Sequence, residues 1–335
     1  EAGRPLGSRP MFAWGIKVKE VFAGSADFTA AALREGCRAA EPTEIFEDPI
    51  RQTGRKPEHD LLVKEVRERH IQETRELPGP DGPNAYLFGT PCTSWCSHNL
   101  RNGGTRTWDD PVGDGSRQIE VEGNLHVETT CDMIEGLHDS GRLWLWESSG
   151  PDGRYVKIWQ HPRSVALRKK TGARFIPTCM CGWKKTAMDD TGGDPGGLHR
   201  KYSWLLVCKE LVPYALLLAR WCTKDHAHDA IAGPSHISKV PKSRLAQRYS
   251  HDFCGGLAMM FRAAYEGWGP AKLNKLEWKD AGGTTMGPDF SVLIKLHKHW
   301  NQAYRLPGDK VGQLPEAVPQ DFDFSDHKED TEASW

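Results

Sequence analysis

The stretch GTPCTSWCSH, Gly89 to His98, places Cys92 directly behind Pro91, just after an apolar run, Tyr86-Leu87-Phe88. A thiol at such a position is a candidate nucleophile, a candidate metal ligand with Cys96, or a small packing residue. Two carboxylates also close short strand-like runs, Glu41 after Arg38-Ala39-Ala40 and Glu147 after RLWLW. A second set of reactive side chains lies further along. Cys179-Met180-Cys181 and the run Cys222 to His228 offer three thiols and two imidazoles, and Cys179, Cys181, Cys222 with His226 or His228 would make a four-coordinate zinc site.

The elements that must hold these groups alternate. IKVKEVFAG from Ile16 reads as a strand, SADFTAAALREGC as a helix stopped by Gly36, and Arg38 to Pro42 as a second strand. HDLLVKEVRERHIQETRE, His59 to Glu76, reads as a charged amphipathic helix with Asp60 at its cap. Asn84 to Gly89 is a strand, and the Gly/Asp/Arg-rich stretch from Asn99 to about Gln118 a long mobile loop. The spacing then predicts a helix over 121–140, a strand over 142–147, a helix over 155–171, strands over 173–179 and 202–208, and helices over 210–222 and 250–266. The pattern is an α/β fold with a mostly parallel sheet and helices on both faces. Its ligand site belongs beyond the carboxyl ends of the strands. That is where Phe22-Ala23-Gly24-Ser25-Ala26, Glu41, Cys92 and Glu147 fall.

Composition bounds the rest. The chain has 335 residues, 38% of them hydrophobic, and a formal charge of −1, so any nucleic-acid surface must be a local patch. Basic runs at Arg163 to Arg174 and Lys239 to Arg248 read as solvated helix faces, or as phosphate contacts if they share a side with Cys92. Nine cysteines without a signal peptide favour an intracellular chain, nuclear or cytoplasmic and not secreted. The most apolar segment, Trp204 to Cys222, is interrupted by Lys209, Glu210, Pro213 and Arg220 and is no membrane span. Residues 1–12 read as a linker or cut edge and 13–267 as the main domain, with a small variable region at 187–240. Residues 268–310 read as a helical extension and 311–335 as an acidic tail.

Phe22-Ala23-Gly24, Glu41-Pro42, Asp60-Leu61, Pro91-Cys92 with Ser97, and Glu147, in that order, resemble the cytosine carbon-5 DNA methyltransferases. The likeness is to the divergent, compact members carried by mobile elements or viruses, and it spans roughly residues 16 to 265. It implies a Rossmann-like S-adenosylmethionine-dependent fold, probed by the residues above in family roles. The turn Phe22 to Ala26 would hold the methionine part of S-adenosylmethionine. Glu41, followed by Pro42, would take the ribose hydroxyls, Asp60 the adenine, and Leu61 would flank the purine. Cys92 behind Pro91 would add to carbon 6 of cytosine while Glu147 contacts nitrogen 3. DNA is the implied partner, with RNA as an alternative polymer, and the chain would act as a monomer. A non-enzymatic nucleic-acid-binding descendant of the family is the other reading.

The sequence departs from the family pattern in three places. Glu147 is followed by Ser148-Ser149 where the family has Asn, and Ala26 stands where many members have a second glycine. The arginine motif that touches the cytosine oxygen is replaced in order by CMCGWKKT, which nominates Lys184 or Lys185 in its place. Ser243 to Ala258 resembles the family's late Arg-containing helix, and the space between it and Lys185 is too short for a large recognition domain.

Overall fold

The computed structural model describes residues 15–150, 155–183, 198–199, 201–220, 222, 226–229, 231, 233–235 and 238–268. Lys184, Lys185 and the stretches expected as the terminal linker, C-terminal extension and acidic tail lie outside these residues, apart from Trp268.

In chain order the strands are β1 (Lys17–Val21), β2 (Arg38–Ala39), β3 (Phe46–Asp48), β4 (Thr53–Arg55), β5 (Ala85–Phe88), β6 (Leu143–Ser149), β7 (Arg174–Cys179), β8 (Leu198–His199), β9 (Tyr202–Val207) and β10 (His228–Asp229). The helices are α1 (Asp27–Arg34), α2 (Lys64–Arg75), α3 (Ser97–Arg101), α4 (Gln118–Asp139), α5 (Pro162–Thr171), α6 (Val212–Ala215), α7 (Lys242–Leu245) and α8 (His251–Tyr265). The fold is mixed α/β. Six strands form one sheet in the order β2-β1-β5-β6-β9-β7, and two-stranded sheets pair β10 with β8 and β3 with β4. β2, β1, β5 and β6 run parallel, whereas β9 is antiparallel to both of its neighbours.

The central strands are continuous apolar runs because both faces are covered. Every residue of β5 is buried, as is LWLWES of β6. α1 packs with α8 and α8 with α6, while α4 packs with α2 and α5, giving two groups of helices for the two faces. Trp144 and Trp146 are fully enclosed, each burial contributing roughly 2–3 kcal/mol. Pro177 sits in β7, the edge strand, where a missing N–H costs no ladder bond.

After β1 the chain crosses to β2 on one side, then returns to β5 on the other. Strand order therefore reverses between β1 and β5, and the crevice beyond their carboxyl ends is where such sheets bind ligands.

Several sequence expectations shift. α2 starts at Lys64 and not at His59, because the Asp60 carboxylate caps a local turn (Leu62 N to Oδ1, 3.0 Å) and pairs with Arg55 (2.6 Å). The helix expected over 155–171 is a 3-10 turn, Ile158–Gln160, followed by α5. Pro162 opens α5, and the His161 ring accepts from Arg163 N. The helix expected over 210–222 ends early: α6 gives way to a 3-10 turn, Leu216–Leu218, and Arg220 bridges to Thr178 at the sheet edge. The β3–β4 hairpin was not expected; apart from Phe46 and Gly54 its strand residues are polar, and they are largely exposed.

The Asn99 to Gln118 stretch is not a loose lid. The Arg106 guanidinium is buried 3.4 Å above the Trp95 ring and donates to the carbonyls of Ser94, Pro111, Val112 and Glu120 and to Asn124 Oδ1. Burial pulls its pKa down to about 10, against the attraction of Glu120 and Asp110. The buried Glu120 carboxylate accepts from Asn99 Nδ2 (2.6 Å), Thr105 N (3.0 Å) and Thr105 Oγ1 (2.5 Å). Gly123 lets α4 approach this knot, since a Cβ there would collide with Ser94 Oγ.

Candidate active site at the carboxyl edge of the sheet

The turn after β1 is built from left-handed backbone. Phe22, Gly24 and Ala26 have φ of 58°, 54° and 53°, and two of the three are not glycine. Ala23 N donates to Thr43 O, and Ala26 N to Ala23 O, closing the turn ahead of α1. Gly24 N donates to Glu44 Oε2 at 2.8 Å, and a Cβ on Gly24 would meet nothing within 4 Å, so its outer side is open. Phe22 lies edge-on to His126, ring centroids 5.2 Å apart.

Behind this turn Glu20 is buried, its carboxylate accepting from Thr29 N (2.9 Å) and Thr29 Oγ1 (2.8 Å). Burial pushes its pKa up to about 8, opposed by the Thr29 bonds and reinforced by Asp27 and Glu44. Sequence reasoning passed over Glu20 and Glu44, which lie within strand-like or polar runs.

β5 is followed by Gly89, whose position is confined. A Cβ there would stand 3.1 Å from Phe22 O and 3.2 Å from the Tyr249 hydroxyl. The chain then turns through Pro91 to Cys92, which heads a 3-10 turn, Thr93–Trp95, its carbonyl accepting from Trp95 N. Cys92 is half-buried against the core. Burial pushes its thiol pKa up; Lys201 pulls it down, Cys96 and Glu147 add to the rise, and Lys157 opposes it. Cys96 Sγ donates to Thr93 O (3.1 Å).

Glu147 is buried near the carboxyl end of β6. Its Oε2 accepts from the Tyr249 phenol at 2.8 Å, and its Oε1 lies 3.9 Å from Lys201 Nζ. The Tyr249 pKa stands well above the ordinary phenol value, from burial first and then from Glu147, so it remains a donor. The charges of Glu147, Lys201 and Lys157 all act on the Cys92 thiol, and Lys201 Nζ also stands 3.9 Å from Glu147. Tyr249, Lys201 and Lys157 complete the cluster, and sequence reasoning did not single them out. Tyr249 lay within a stretch tied to the late helix, and Lys201 in a basic run ahead of a strand.

The other site candidates are more dispersed. Glu41 is exposed, its Oε1 3.7 Å from His59 Nε2. Leu61 is buried, and Asp60 is engaged by Arg55 and Leu62 N. Of the basic runs, Arg163 and Lys170 pair with Asp132, Glu135 and Asp139, and Arg248 pairs with Asp27. Those charges are spent on helix packing. A cleft of about 260 Å³ opens beside the cluster, lined among others by Cys96, Asn99, Trp108 and Tyr155, without Cys92 in its wall.

At the far edge of the sheet, Cys181, Cys222, His226 and His228 converge, their ligand atoms all within 4.8 Å of one another. Cys222 Sγ is 3.8 Å from His226 Nε2 and 3.3 Å from His228 Nε2. Cys179 Sγ lies 3.0 Å from Cys181 Sγ but outside the four-residue set. Both histidines join the group, where one had been expected beside three thiols.

No helix among the described residues is long and apolar enough to cross a membrane. No protein-family model matches the sequence, and the curated proteins give no match. Among solved structures, the chain resembles a candidate DNA modification methyltransferase encoded within a prophage (E. coli). The identity is 12% and the TM-score 0.33, over 65% of this chain and 57% of that one. The chain thus spans little more than half of that neighbour.

Proposed function

We propose that this chain is a Rossmann-like, S-adenosylmethionine-dependent methyltransferase acting at carbon 5 of cytosine in DNA. The observation that carries the reading is geometric. Cys92 follows β5, and Glu147 lies near the carboxyl end of its parallel neighbour β6. The Tyr249 phenol that bonds Glu147 also packs over Gly89, beside the reversal of strand order between β1 and β5.

The residues present fit the cofactor in part. Open space over Gly24 and the exposed Glu41 suit a methionine moiety and ribose hydroxyls, with Phe22, Ala23, Ser25 and Ala26 forming the turn and Pro42 following the acid. Asp60 could reach an adenine only by sharing its carboxylate with Arg55. Bound S-adenosylmethionine would supply an electrophilic methyl group. Cys92 adds as thiolate to carbon 6, which moves electron density to carbon 5. Glu147, its Oε2 held by the Tyr249 phenol, acts in its carboxylic-acid form. It donates its own O–H to nitrogen 3 and so offsets the negative charge that thiolate addition develops on the ring. Lys201 favours the Cys92 thiolate against the cost of burial. Transfer of the carbon-5 proton to solvent acting as base re-forms the carbon 5–carbon 6 double bond, breaks the carbon–sulfur bond and restores the Cys92 thiolate. The target base must leave its stack to reach this site.

The raised Cys92 pKa favours a second reading, a nucleic-acid-binding module without catalysis. Incubation with methyl-labelled S-adenosylmethionine and DNA, then nucleoside analysis, separates the two. Label in 5-methylcytosine supports the enzyme. DNA binding without label supports the module, and label recovered only from RNA moves the substrate to the other polymer.

A further inference from the structure

We infer that Cys181, Cys222, His226 and His228 hold a structural zinc ion that fixes the strand edge carrying Lys201. In a tetrahedral zinc site, bonds of ~2.3 Å to sulfur and ~2.0 Å to nitrogen set neighbouring ligand atoms about 3.3–3.8 Å apart. The two Cys222 Sγ to histidine Nε2 separations, 3.3 and 3.8 Å, span that range. A single thiol-imidazole hydrogen bond would explain one such pair. It does not explain four ligand atoms from two distant segments gathered within 4.8 Å. Two thiolates and two neutral imidazoles neutralise a dication and suit zinc over magnesium or calcium, which take oxygen. Four protein ligands leave no open position, so the site is structural and not hydrolytic.

Its place in the fold gives it a task. Met180 N, next to Cys181, donates to Lys201 O at 2.9 Å. On the other side, β8 pairs with β10, which carries His228, and Leu198 N donates to Ala227 O. The two ligand segments therefore grip the backbone on both sides of Lys201, whose Nζ reaches toward Glu147. Both small strands are two residues long, too short to hold register alone. A metal bridging Cys181 and His228 supplies that restraint, and the inference stands without the proposed activity.

The test is metal content of the full chain, expressed with zinc under reducing conditions and dialysed against a weak chelator. Wild type and Cys37→Ser should each retain close to one zinc per chain, and Cys222→Ser and His228→Ala less than about a tenth of it. Because those variants could misfold, wild type stripped of zinc is also titrated with cobalt(II). A thiolate-to-cobalt charge-transfer band and tetrahedral d–d bands should rise to one equivalent. Amide exchange at Met180 and Lys201 should slow as the metal binds. Folded wild type without zinc and without cobalt bands overturns the site. Retention by His228→Ala together with loss in Cys179→Ser overturns this ligand set.

Discussion

The Tyr249 phenol donates a 2.8 Å hydrogen bond to Glu147 Oε2, joining the segment that leads into α8 to the end of β6. The same hydroxyl stands where any side chain on Gly89 would have to go, 3.2 Å from a Cβ built there. One phenol thereby packs over the end of β5 and orients the buried carboxylate of β6. Tyr249→Phe keeps the ring against Phe253 and removes only the donor. Stability should fall by about 1–3 kcal/mol in chemical denaturation. Methyl transfer should drop about tenfold in kcat with little change in KM for DNA. Unchanged stability and rate would remove Tyr249 from the site.

Arg106 gives the second prediction. Its head group satisfies carbonyls from four residues and stacks on Trp95, so truncation leaves buried acceptors unpaired. Arg106→Ala should cost about 3 kcal/mol or more and expose residues 104–117 to limited proteolysis ahead of the rest of the chain. Cleavage elsewhere first would mean that this stretch is held by other contacts.

Ala26 occupies a left-handed conformation that costs an alanine about 1–2 kcal/mol and glycine almost nothing. Alanine thus stands at a position whose backbone conformation favours glycine. After the greater chain entropy of glycine is subtracted, Ala26→Gly should stabilise by up to about 1 kcal/mol, read as a higher denaturation midpoint. A lower midpoint would place the backbone of that residue outside the left-handed region.

Glu20 should imprint a pH dependence on stability. Its folded pKa near 8 lies above the ordinary carboxyl value of 4.5, so the native state keeps a proton that the unfolded chain has lost. Stability from this group is complete below about 4.5 and drains away as pH rises to about 8. The groups facing it are Thr29, Asp27 and Glu44, with Tyr249 close by. Glu20→Gln keeps an acceptor for Thr29 and should flatten that part of the profile. An identical slope in the variant would assign the dependence to other groups.

The central strands β5 and β6 were legible because each is built on a continuous apolar run, AYLF and LWLW, closed by glycine or by polar residues, whereas the short polar β3 and β4 gave no such signal. Gly36, at φ 78°, ends α1 where its position in the sequence implied. The neighbourhood of Cys92 and Glu147 followed from one rule, that parallel strands present their carboxyl ends on one side. Three features were hidden for distinct reasons. Arg106 lies in a Gly/Asp-rich stretch that reads as solvated, and only the Trp95 face and a set of carbonyls make it a buried anchor. Asp60 looked like a helix cap, but its turn to Leu62 and its ion pair with Arg55 use the carboxylate four residues early. Lys201 and Tyr249 come from segments remote from Cys92, and no local periodicity points them at it.

The central claim is that the Cys92 sulfur attacks a cytosine held against Glu147. DNA in which fluorine replaces the carbon-5 hydrogen cannot lose a proton there, so the adduct with the thiolate persists once the methyl group has arrived. Denaturing gels of the chain with such DNA and S-adenosylmethionine should show a covalent complex, absent in Cys92→Ala and strongly reduced in Glu147→Gln. A folded wild-type chain that binds this DNA and forms no adduct, or an equal adduct in Cys92→Ala, would contradict the account.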